Sequence, residues 1–173
     1  MDLDRFTAGC DGSAARPFFQ QLTLKRPERT TEEVEVPKGL PSVVEALYKA
    51  YGPGYEWYLG PLTILSLRFA RERCTSRFVD FALTYAGMGH VNVFFADVDT
   101  GKVYRRVDGG SNSWDRARNA RAHLAYEPDP ADLVDFDVEL QAASAQRDGA
   151  VAGLGDGHDL HAGAGQNGEE EEG

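Results

Sequence analysis

The chain has little cysteine, little net positive charge and no long apolar run, and each shortage removes a class of protein. Of 173 residues, two are cysteines, Cys10 and Cys74, too few for a disulfide framework and without metal-site spacing, which fits reduced thiols in a cytosol-like compartment. Nowhere do eighteen apolar residues run together, and the start, MDLDRFTAGCDGS, has neither a basic region nor an apolar core, so neither a membrane span nor secretion is expected. No serine sits in a Gly-x-Ser-x-Gly elbow, and there is no P-loop or dinucleotide fingerprint. With no catalytic constellation and no cofactor motif, the expectation is a protein that is not an enzyme and carries no cofactor.

What is present is enough apolar material for one core, 42% of the residues, in a chain of single-domain length. The net charge of −10 is unevenly spread: residues 1–59 carry −2, residues 60–125 carry +4 and residues 126–173 carry −12. The acidic total opposes nucleic-acid binding by the basic middle, so nucleic acid is not the expected partner.

The clearest stretch is Gly89 to Asn112. Val91 to Val98 is rich in β-branched and aromatic residues, Asp99-Thr100-Gly101-Lys102 supplies a turn, and Val103 to Val107 resumes as a strand. This predicts a β-hairpin in which Gly101 takes positive φ and Asp97 and Asp99 bond nearby backbone N–H groups.

Before it, Val43, Val44, Leu47, Tyr48 and Tyr51 fall on one helical face, Pro41 suits the first turn and Gly52-Pro53-Gly54 the stop, which predicts a short amphipathic helix. Tyr55, Trp57 and Tyr58 then read as a lid on the core. Leu62 to Phe69 and Phe78 to Tyr85 read as strands, so that with the hairpin an antiparallel meander follows. A second helix is predicted over Ser113 to Tyr126, and Leu133 to Leu140 reads as a last strand or extended edge segment. Residues 1–36 read as an arm, with a short strand at Phe18 to Leu24 or a packed arm there, and an edge strand toward Val36. Residues 37–140 read as the single α+β domain, a twisted antiparallel sheet with one helix before it and one after. Residues 141–173, dominated by Ala, Gly, Asp and Glu, read as a disordered acidic tail.

The helix from Leu40-Pro41 to Gly52, the strands LTILSL and FVDFALTY, and the hairpin FADVDTGKVYRRVDGG resemble the SUKH superfamily over about residues 37–125. Its members include relatives of the yeast cell-wall-assembly regulator, bacterial toxin-immunity proteins and copies in large DNA viruses. The resemblance implies an α+β fold used for binding proteins, with the partner unnamed. The long arm, the acidic tail and the Gly-Gly-Ser-Asn loop depart from that pattern.

The candidate binding residues are Arg105, Arg106, Gly109, Gly110, Ser111, Asn112 and Arg116. Backbone N–H groups at a Gly-rich helix entrance can point at a phosphate, and the three arginines lie close in sequence, so an anion or nucleotide site is the alternative to a protein-binding surface. The other chemical readings are plainer. His158 and His161 have one-turn metal spacing but no third ligand, Asp97-x-Asp99-x-Gly101 lacks the glycine and the bidentate glutamate of a calcium loop, and His90 is read as structural.

Overall fold

A computed structural model describes residues 2–14, 28–87, 90–108 and 128–155. Among them seven strands form one antiparallel sheet in sequence order: β1 Asp11–Ala14, β2 Tyr55–Leu59, β3 Leu62–Ile64, β4 Phe78–Gly87, β5 His90–Asp97, β6 Val103–Asp108 and β7 Leu133–Val134. The helices are α1 Leu3–Ala8, α2 Ser42–Tyr51, α3 Leu67–Glu72 and α4 Phe136–Gly155, giving the expected α+β meander. The expected strand at Phe18 to Leu24 and the expected helix at Ser113 to Tyr126 lie outside the described residues.

α2 buries all five residues of its predicted face, and Gly52, at φ 79°, ends it. Its Tyr48 hydroxyl donates to the carbonyl of Leu65 at 2.8 Å, which satisfies a polar group inside the core. The hairpin also forms, with the turn bonds made by the side chain of Asp97 and not, as also expected, by that of Asp99. Gly101 stands at φ 68°, and the Asp97 carboxylate accepts from the N–H groups of Asp99 at 3.0 Å and Thr100 at 3.3 Å. This is an Asx-type turn, closed by one oxygen of the carboxylate on its own backbone.

Register sorts the central strands into two faces. Trp57, Leu62, Ile64, Ala82, Phe94, Ala96 and Val103 face the main core, which α2, α3 and α4 complete. A bulge between Asp80 and Ala82 leaves Phe81 without a partner in the register, and both Phe81 and Ala82 join that core. Phe78, Asp80, Phe95, Asp97, Tyr104 and Arg106 belong to the opposite face.

Several expectations change. Tyr55, Trp57 and Tyr58 are a strand and not a lid, with Trp57 inside the core and Gly60, at φ 56°, turning the chain into β3. The strand expected over Leu62 to Phe69 stops at Ile64. The Ser66 hydroxyl accepts from Phe69 N–H at 3.3 Å and caps α3, which turns Leu67 and Ala70 inward at helical spacing.

The strand expected over Leu133 to Leu140 is likewise only two residues long. Asp135 accepts from Asp137 N–H at 3.0 Å, and Phe136, Leu140 and Ala143 then recur at i, i+4 and i+7 on the buried side of α4. That helix continues to Gly155, so the chain does not leave its fold at residue 141. At the other end, α1 and β1 are folded onto the sheet: Leu3, Phe6 and Cys10 pack against the core and β1 pairs with β2. Residues 28–36 contain no strand, and Val34 and Val36 rest on the core as side chains of an irregular segment.

Candidate functional site

β6 separates the two arginines on which the anion reading depended. Neighbours in a strand point to opposite faces. Arg105 lies on the face covered by α4, where its Nη1 meets Glu139 Oε1 at 2.9 Å. Arg106 lies on the other face, where its Nη2 reaches Asp80 Oδ2 on β4 at 3.2 Å. Gly109, Gly110, Ser111, Asn112 and Arg116 lie outside the described residues.

Around Arg106 the sheet carries a charged and aromatic cluster. Asp80, 1% exposed, receives Arg106 and also Arg73 at the end of α3, whose Nε stands 3.0 Å from the same oxygen. Arg77 meets Asp97 Oδ2 at 3.4 Å and lies over the Phe78 ring at 4.8 Å. Arg106 lies over Phe95 at 5.4 Å, and Phe95 packs edge-on against Phe78 and stacks on Tyr104. The guanidinium planes close over the rings while their N–H groups answer the two carboxylates, which is how arginine carries charge into an apolar setting.

Burial pushes the Asp97 carboxyl upward, but the N–H groups of Asp99 and Thr100 and the Arg77 guanidinium outweigh it and hold the group below its ordinary value. Asp97 is therefore a fixed anion of the hairpin. Cys74, the nearest thiol to this face, is pushed up by partial burial and by the Asp80 carboxylate. That lowers its thiolate fraction, the opposite of what a nucleophile needs. Among the described residues no group of three or more His, Cys, Asp or Glu is placed to hold a metal.

The sequence reading missed Asp80, Arg73 and Arg77. One signal was available: an aspartate inside the apolar strand FVDFALTY must find a cationic partner if it is buried.

Two large apolar side chains stand out in solvent near the far end of the β4–β5–β6 ribbon, Tyr85 at 67% and Val107 at 65% exposure. Tyr85 pairs with Val91, and the next residue, Asn92, pairs with Val107, so the two lie close along the ribbon but on opposite faces. Among the described helices none is long and apolar enough to cross a membrane. No protein-family model matches the chain, and neither the curated proteins nor the solved structures provide a match.

Proposed function

We propose that the chain is a non-enzymatic protein-binding or inhibitory module of the SUKH-like kind. The observation that carries this reading is Tyr85, exposed on one face near the end of the three-strand ribbon, with Val107 exposed on the other face of the same end. A solvent-facing tyrosine held by a paired strand supplies a large amphipathic contact at small entropic cost, the character of an interface anchor. The same ribbon carries the Asp80 and Asp97 ion pairs toward its other end.

The test is affinity capture from the native host with the wild-type chain and with Tyr85→Ser/Val107→Ser. A partner retained by the first and lost by the second, at unchanged melting temperature, supports the reading. The same partner retained equally by both removes this end of the ribbon from it. The anion alternative makes a different demand. Arg105 and Arg106 already hold Glu139 and Asp80, so a phosphate would have to compete with carboxylates. Millimolar ATP is expected to leave the melting temperature unchanged, and a rise that Arg106→Ala abolishes would favour the anion site.

A further inference from the structure

The edge of the sheet at β2 is closed by a strand poorly suited to hold it. β1 reads Asp-Gly-Ser-Ala, four residues that rank low in strand preference, and it makes four register pairs: Asp11 with Tyr58, Gly12 with Trp57, Ser13 with Glu56 and Ala14 with Tyr55. Opposite the largest side chain of β2 it therefore places a glycine, which forgoes the cross-strand contact that stabilises a sheet. β2 itself, Tyr-Glu-Trp-Tyr-Leu, is a strong strand sequence.

The segment that delivers β1 is held as lightly. α1 has six residues, and of its side chains only Thr7 is fully buried, Leu3 and Phe6 being half-covered. Two further ties are long side chains. Arg29 pairs with Asp4 where both are exposed, and Arg147 of α4 donates to the carbonyl of Gly9, its guanidinium occupying the place a Cβ on Gly9 would take. The exposed Arg29–Asp4 pair contributes little to stability, whereas the half-buried bond from the Arg147 guanidinium to the Gly9 carbonyl is charge-assisted and its loss weighs more.

We propose that α1 and β1 form a displaceable plug on the β2 edge, and that the edge accepts an extended segment of a partner protein by strand addition. The partner chemistry follows from the register. It is a strand antiparallel to β2, with β-branched or aromatic residues at the places of Gly12 and Ala14, opposite Trp57 and Tyr55, and with a neutral polar or basic residue opposite Glu56. Backbone hydrogen bonds along β2 provide the docking, and the alternate side chains provide the selection. Arg147 makes α4 the latch, because its contact with Gly9 holds the plug in register. This goes beyond the binding reading above and uses a different surface from Tyr85 and Val107, so either can fail alone.

The experiment uses the full chain and a fluorescein-labelled peptide of residues 8–16 carrying Cys10→Ser, Gly12→Val, Ser13→Thr and Ala14→Val. Three proteins are compared by fluorescence anisotropy: wild type, Arg147→Ala, and a locked chain with Ser13→Cys and Glu56→Cys in a Cys10→Ser/Cys74→Ser background. Arg147→Ala is expected to bind the peptide at least about tenfold tighter than wild type, about 1.4 kcal/mol. The oxidised lock is expected not to bind, and reduction of the same sample to restore binding, a comparison that does not depend on the folding of any further variant. Equal affinity of the oxidised and reduced lock, or no binding by any of the three, overturns the proposal. So does a dimer of Arg147→Ala seen by light scattering, since a second copy would then be the occupant.

Discussion

Arg106 on β6 crosses β5 to reach Asp80 on β4, Nη2 to Oδ2 at 3.2 Å, with the Phe95 ring of the intervening strand beneath its guanidinium. Arg73 meets the same oxygen from the end of α3, so a carboxylate that is 1% exposed joins two strands and a helix. Asp80→Ala leaves two guanidinium groups facing an apolar wall. A loss of about 3 kcal/mol or more in urea unfolding is expected. Arg105→Ala, one residue from Arg106 in the chain, removes a half-exposed pair with Glu139 and is expected to cost below about 1 kcal/mol. Equal losses from the two variants would mean that the cluster adds nothing to the fold beyond a surface pair.

The acid limb of stability should depend on Asp97. Its carboxyl is held below the ordinary value of 3.8, so its contribution is fully present above that pH and is lost as pH falls through the lowered value. Asp97→Asn cannot gain this pH-dependent stability. Its unfolding free energy should fall less steeply below about pH 4 than that of the wild type. Parallel acid limbs for the two proteins would show that Asp97 titrates alike in the folded and unfolded chains.

Two glycines of the hairpin region differ in what they forbid. Gly101 stands at φ 68° in open space, and Gly101→Val is expected to cost about 1 kcal/mol or more through backbone strain alone. Gly39 stands at φ 78°, and a Cβ there would lie 2.8 Å from both the carbonyl oxygen of Asp97 and the Cα of Val98. Gly39→Ala should therefore exceed the Gly101 variant, at about 2 kcal/mol or more, although alanine is the smaller side chain. The reverse order of urea midpoints would show that the approach of Gly39 to the turn is not close.

Cutting the chain after Leu140 removes Ala143, which is buried, and Arg147, which holds Gly9. The expected result is a lower melting temperature with the transition still cooperative, because Phe136 and Leu140 still fill the core under Phe81 and Phe94. An unchanged melting temperature would place the end of the folded unit at Leu140.

The hairpin, α2 and their stops were legible because their signals are local. A turn glycine, an Asx side chain and a helical stripe act within a few residues, and no distant contact is needed to choose among alternatives. LTILSLRF and LVDFDVEL are of another kind, since the apolar residues of each satisfy period two and helical spacing at once. There the caps at Ser66 and Asp135, together with the core positions offered to Leu67, Ala70, Phe136 and Leu140, decided for helix and left Val138 in solvent. Likewise, the sequence by itself determined that Arg105 and Arg106 are adjacent cations and that Asp80 sits in an apolar strand. Only the tertiary structure decided that the two arginines serve opposite faces and that one of them answers Asp80 across 26 residues of chain, because strand order and register are set by packing over the whole sheet and by no single stretch of it.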